Sequence, residues 1–291
     1  MNLTIFGLAL LSGLLHATWN FFSKKKAAED SVIITGETVA NISLLPITCL
    51  LIYLYGFDNR CLIYVLFSGI LEGLAFLLII KSYQSSDISM AYPVSRGTGV
   101  MLIAIFGTLI FKEQISNLSK IGIIFVLIGI FMFSFNRGSS LKQIWESTKK
   151  QKYALLIGVC MVFYTFVDRY GVKYCNPLVY FNLTELLAMI LVTPLVFKGM
   201  QHVPAGLIKT MKSNGGDALI IGFGIVFSYV IILMIYNMFA DAKASCITPV
   251  RECSVVIGSI FGFIFLKEKV TLNKLAGILT IVAGVIMIKV G

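Results

Sequence analysis

The sequence predicts an all-α membrane protein in which ten transmembrane helices form two inverted five-helix repeats. Three observations lead there. Of 291 residues, 58% are hydrophobic and only 13% are charged, against roughly 25% charged in soluble domains. Long apolar runs recur along the whole chain, without the alternating strands of a barrel, and lipid leaves helices as the other spanning option. The second half of the sequence also repeats the first.

The spans fall at 3–22, 32–55, 61–81, 89–111, 119–136, 153–172, 177–197, 217–238, 245–266 and 273–289, each near the roughly 20 residues that cross a bilayer. The first has no basic region ahead of its apolar stretch and carries lysines after it. It therefore reads as a retained span, not a cleaved leader. In the connection "SLKQIWESTKKQK", Leu141, Ile144 and Trp145 share a helical face rimmed by lysines. "AGLIKTMKSNGG" repeats the pattern with Leu207, Ile208 and Met211, so both read as short interfacial helices.

The repeat is specific. "GTLIFKEQISNLSKIGIIFVLIGI" aligns with "GFIFLKEKVTLNKLAGILTIVAGV", pairing Gly107, Lys112, Glu113, Gly122 and Gly129 with Gly262, Lys267, Glu268, Gly277 and Gly284 at a shift of 155 residues. Glu37, Ala40 and Pro46 align with Glu185, Ala188 and Pro194, and Arg96 with Arg251. The chain thus divides into a first five-span copy (1–136), a basic amphipathic linker (137–152) and a second copy (153–291). An odd number of spans per copy inverts the second relative to the first, an arrangement typical of secondary transporters.

These residues resemble the drug/metabolite transporter superfamily, EamA type. The two "KE" segments, each followed by spaced glycines, carry most of the likeness, and "LLHATWN" in the first span adds to it. The resemblance implies transport of small metabolites, often amino acids or their derivatives, frequently outward and commonly by proton exchange.

A charge at a helix centre costs about 2.5–3.5 kcal/mol on insertion scales, so those retained there are candidates for function. His16, Trp19 and Asn20 sit together on the first span, and Glu37 lies on the second with Asn41. Glu72 is mid-span in the third. Tyr92 and Arg96 lie four apart on the fourth, Glu185 shares a face with Asn182, Tyr229 is on the eighth, and Arg251 and Glu252 are adjacent on the ninth. Asp168 and Arg169, near the end of the sixth span, read as interfacial. Glu37/Glu185 and Arg96/Arg251 occur in both copies and suit gates or ion pairs. Glu72, Glu252 and His16 lack equivalents and suit proton or amine handling, while an arginine suits a carboxylate or phosphate. The prolines and glycines of "YPVSRG" predict a broken, hinged fourth helix, with "TPVRE" as its counterpart.

The net charge of +10 is carried mostly between apolar runs, which points to anionic lipid and not nucleic acid. Fifteen of the 24 Lys and Arg lie in the odd-numbered loops. The positive-inside rule then puts both termini outside the cytoplasm, whereas the resemblance implies cytoplasmic termini. Six cysteines form no C-x-x-C or metal spacing and read as small hydrophobes, with neither disulfide nor metal expected.

The expected protein is a multi-pass cell-membrane (plasma or inner) secondary transporter, an exporter of a small polar or zwitterionic metabolite by alternating access. Proton coupling is its candidate energy source and no cofactor is expected. Its partners are a small-molecule substrate and membrane lipids, without nucleic acid, as monomer or homodimer. The alternatives are a flippase of lipid-linked or amphiphilic cargo, an importer of a cationic metabolite and, least supported, a membrane-embedded enzyme. No HExxH, GxSxG or acidic metal motif supports the enzyme.

Overall fold

The computed structural model describes residues 1–25, 30–85, 88–132, 151–265, 267 and 270–291, with the side chains of 24, 25, 30, 83–85 and 88–93 left aside. The described chain is helical: α1 (Leu3–Lys25), α2 (Asp30–Tyr55), α3 (Cys61–Ser85), α4 (Ile88–Leu109), α5 (Asn117–Met132), α6 (Lys152–Gly171), α7 (Pro177–Val196), a 3₁₀ turn at Met200–His202, α8 (Val203–Met238), α9 (Ala244–Arg251), α10 (Cys253–Phe265) and α11 (Leu272–Val290). Among the described residues, eight segments are long and apolar enough to cross a membrane, Ala244–Phe265 among them, and the shorter Val94–Leu109 and Asn117–Met132 are also apolar.

Local chemistry starts several of these helices. Asn176 accepts the Leu178 N–H (2.9 Å) ahead of Pro177, whose missing N–H costs nothing in a first turn. Thr271 caps α11 through the Lys274 N–H, and Ser116 caps α5 through the Ser119 N–H. Asn214 leaves helical geometry (φ −138°, ψ 26°) and divides α8 into a leading helix and the span proper. The expected helix at "AGLIKTMKSNGG" is therefore present, with Ile208 exposed beside exposed Lys209 and Lys212. Its counterpart "SLKQIWESTKKQK", and with it most of the 137–152 linker, lies outside the described residues.

The two hinge expectations come out differently. The fourth helix runs unbroken through residue 93, while the ninth predicted span is interrupted at Glu252, between α9 and α10. Position 93 is only six residues into α4, so the hydrogen bond that proline removes would belong to a terminal turn. At the interruption the Glu252 N–H reaches back to the carbonyls of Thr248 and Pro249, and the Val255 N–H to that of Glu252. These are tightened turns.

The described helices form two compact units. The first comprises Met1–Gly13, Leu77–Val162 and Ala242–Gly291, and the second Leu14–Phe76 and Phe163–Asp241. This spatial division cuts across the sequence repeat, because each unit takes helices from both copies.

In the first unit α5 packs along α11, its counterpart in the repeat. A methyl added at Gly122 would lie 2.6 Å from the Gly284 carbonyl oxygen, and one at Gly129 2.9 Å from that of Gly277. Residue number rises along α5 as it falls along α11, so the two run antiparallel. α4 and α9–α10 are antiparallel too, with Arg96 beside Glu252 and Gly107 beside Ser245. Lys112 and Lys267, equivalent in the repeat, share the same left-handed φ of 53°. Glu113 folds back from that turn to bond α9: its carboxylate accepts the N–H groups of Ala244 and Ser245, both at 3.0 Å, and the Ser245 hydroxyl at 2.5 Å. The carboxylate thus satisfies first-turn donors of a neighbouring helix.

In the second unit α2 packs against α7 and α8. Thr38 meets Thr193 and Thr48 meets Asn182, so α2 and its counterpart α7 are antiparallel. Gly36 and Gly222 let α2 and α8 approach backbone to backbone, and a methyl on either would overlap the facing main chain. Close glycine contacts give a first prediction. Gly284→Leu is expected to destabilise the protein by about 1–3 kcal/mol or more, read as a lowered melting temperature in detergent. Gly258→Ala, where an added methyl meets nothing within 4 Å, leaves it unchanged.

Candidate functional site

The candidate residues divide between the two units. Glu37, Glu72, Glu185, His16, Trp19, Asn20 and Tyr229 belong to the second; Arg96, Arg251 and Glu252 belong to the first. Tyr92 lies among the residues whose side chains are outside the description.

Buried acids are the main feature of the second unit. Glu37 on α2, Glu72 on α3, Asp168 on α6 and Glu185 on α7 are all buried, Glu37 and Asp168 completely. Glu185 lies within electrostatic reach of both Glu37 and Glu72, and Glu72 within reach of Asp168. Among the described residues neither carboxyl oxygen of Glu37, nor Oε2 of Glu185, has a hydrogen-bond partner. Asp168 is served differently. Ser68 and Tyr180 donate to its Oδ1, the latter at 2.7 Å, and Tyr229 donates to its Oδ2 at 2.5 Å. The four helices thus project a chain of acids, from Glu37 through Glu185 and Glu72 to Asp168, which accepts three hydroxyls.

Asp168 corrects the sequence reading. Its place near the end of a span suggested a water interface, yet it is wholly buried and holds together α3, α6, α7 and α8. The available pointer was Tyr229, a polar ring on an apolar helix. Tyr229 also packs edge-on to Tyr164 (6.2 Å) and beside Phe181 (6.0 Å).

Beside the acids, Asn182 donates to the Asn41 carbonyl (2.9 Å) and Asn41 Oδ1 (3.1 Å) and accepts from Thr48 (2.8 Å). The two asparagines join α2 to α7 and bond to each other and to Thr48, not to the glutamate carboxyls. On α1 the polar trio bonds within its own turns. The Trp19 indole donates to His16 Nδ1 (3.2 Å), and Asn20 donates to the His16 carbonyl (2.7 Å). Trp19 packs against the Val32–Ala218–Ile221–Ile225 cluster.

In the first unit Arg96 forms an ion pair with Glu252 at 3.9 Å, with Glu252 buried and Arg96 slightly exposed. The pair joins the two sequence copies. The acid beside Arg96 is Glu252, the residue that has no counterpart in the repeat. Arg251, next to Glu252, adds positive charge at the break between α9 and α10. Gly13 makes room there, as a methyl on it would lie 2.9 Å from the Arg251 carbonyl oxygen.

Chemically, three glutamates buried in mutual reach cannot all hold negative charge without a counter-charge. Protons or a cationic group must supply it. The first unit, by contrast, offers two guanidinium groups to one carboxylate.

Comparison with known proteins agrees with this architecture. The model of the EamA-like transporter family matches twice, over residues 3–135 and 149–290. No curated protein matches the sequence. Among 28 matching solved chains, one titled only as the crystal structure of a protein superposes with a TM-score of 0.73 at 11% identity, covering 99% of this chain and 96% of its own. That likeness bears on the fold alone. With nearly the whole chain matched by two copies of one model, this multi-pass membrane protein belongs to the EamA-like transporter family.

Proposed function

We propose that the chain is a secondary transporter of the cell membrane that moves a small polar or zwitterionic metabolite, such as an amino acid or derivative, outward by alternating access coupled to protons. The observation that carries this reading is the buried acid chain Glu37–Glu185–Glu72–Asp168, contributed by four helices of one unit. Such a chain can take protons in one state and a substrate ammonium in another, because either counter-charge relieves the same repulsion. The antiparallel pairing of α5 with α11, α4 with α9–α10 and α2 with α7 supports two inverted five-span copies, 1–136 and 153–291. The outward direction follows the family's frequent habit. Import of a cationic metabolite is the second reading, favoured by the excess of acids in the second unit.

Purified protein in liposomes tests this. With a pH gradient imposed, counterflow of labelled amino acids should be measured for wild type, Glu72→Gln and Glu185→Gln. Gradient-driven accumulation is expected to fall about tenfold or more in each variant, the equivalent of one lost interaction of about 1.4 kcal/mol. Movement of cationic but not zwitterionic amino acids would select the second reading. Absence of metabolite movement under every ion gradient tried would reject both.

A further inference from the structure

Outside the acid chain, the second unit holds a pair of cysteines brought together in space. Cys61, the first residue of α3, and Cys175, in the turn between α6 and α7, place their sulfurs 2.6 Å apart although 114 residues separate them. Cys61 is wholly buried and Cys175 is partly accessible.

Their neighbours hold the two segments in register without help from sulfur. Arg60, beside Cys61, lies over the Tyr174 ring at 4.7 Å, and Tyr64, one turn along α3, stacks on the same ring at 5.5 Å. Asp58 fixes Arg60 in turn, accepting its backbone N–H at 2.9 Å and its guanidinium at 2.6 Å. Arg60 beside it holds the Asp58 carboxyl below its usual range. The sulfurs are thus brought together by a scaffold of contacts on both sides.

We infer that Cys61 and Cys175 are a redox-active dithiol, closed to a disulfide by a small-molecule or protein disulfide acting as oxidant. The exchange runs in two steps. The accessible Cys175 thiolate attacks the oxidant's disulfide, forming a mixed disulfide and releasing one thiolate. The Cys61 thiolate then attacks Cys175 Sγ and releases the second. The protein pair gives up two electrons and two protons, and the oxidant becomes two thiols. Closure ties the start of α3 to the α6–α7 turn. Ser68 on α3 lies two turns from Cys61, so the bond also pins the element that donates to Asp168.

The test uses purified full-length protein and oxidised glutathione. After incubation the chain is denatured, labelled with a maleimide, weighed and peptide-mapped. Two fewer adducts than the six of the reduced chain, with the Cys61 and Cys175 peptides linked, is the expected result. The melting temperature should also rise by about 5–10 °C, since the bond closes a long loop of the unfolded chain. Cys175→Ser should abolish both changes, while Cys49→Ser, at an exposed position, leaves the link and the rise intact. Six adducts after oxidation, glutathione left on Cys175 without closure, or a link between any other pair would overturn the inference.

Discussion

Asp168→Ala is expected to lower stability by about 2–4 kcal/mol, or roughly 5–15 °C in melting temperature for a chain of this size. The carboxylate receives three hydroxyls, from Ser68, Tyr180 and Tyr229, each on a different helix from Asp168. Truncation strands them unequally. Ser68 can turn to a carbonyl of its own helix, whereas the phenolic groups, fixed at the ends of rigid rings, cannot. Relief from burying a charge offsets part of that loss, so the estimate stays below the sum of three charged hydrogen bonds. Asp168→Asn separates the effects, because an amide of the same shape still accepts two hydroxyls and should lose less than half as much stability. Both are read by thermal unfolding in detergent, with gradient-driven transport measured beside it. If Asn keeps the fold but loses transport, the ionisable group itself is needed. A melting temperature for Asp168→Ala equal to wild type would remove Asp168 as the tie between these helices.

The same residue shows what the sequence left hidden. Spans were legible because lipid imposes length and composition. The repeat was legible because copies at a constant shift preserve their glycines and their Lys-Glu turn, down to the shared left-handed φ of Lys112 and Lys267. Glu37, Glu72 and Glu185 could be picked out by their insertion cost alone. Their mutual reach could not, since it depends on α2, α3 and α7 converging from different parts of the chain. Asp168 was missed because position within a span is a poor guide to depth once tyrosines from two other helices can bury a carboxylate. The cysteine pair is a purely tertiary fact, set by a tyrosine–arginine stack that links residues 60 and 174. Glu113 stood out only as part of the repeated Lys-Glu motif, and its bonds to the first turn of α9 give the first copy of that motif a local structural task.

The hinge expectation failed in the first copy only, which is instructive. Pro93 and Pro249 occupy matching places in the repeat, six residues into their helices, yet only the second helix is interrupted, three residues later at Glu252. Proline by itself therefore does not set the break. What distinguishes the copies is the residue after the arginine. In the first copy Gly97 lies flat against Phe131, where a side chain would collide with the ring. In the second, Glu252 occupies the interruption and meets Arg96.

Glu252→Ala should accordingly be among the most damaging single changes in the first unit. Breaking a buried ion pair costs about 3–5 kcal/mol when one charge is left uncompensated. Arg96 keeps 16% side-chain exposure, so water recovers some of that and about 2–4 kcal/mol is expected. Arg251 makes the loss worse, because the Glu252 carboxylate attracts both guanidinium groups at the break. Glu252→Gln keeps the shape but not the charge and should fall between alanine and wild type. The decisive variant is the double substitution Arg96→Met with Glu252→Leu. Removing both charges removes both desolvation penalties, and a buried pair replaced by apolar groups is often neutral or stabilising. The double variant should therefore melt above either single one, giving a coupling energy of about 1–3 kcal/mol in the cycle. Additive losses would mean that Arg96 and Glu252 act independently and that the 3.9 Å contact carries little energy. If the double variant folds well yet transports nothing, the pair serves transport and not stability, since apolar packing would have restored everything except its charge.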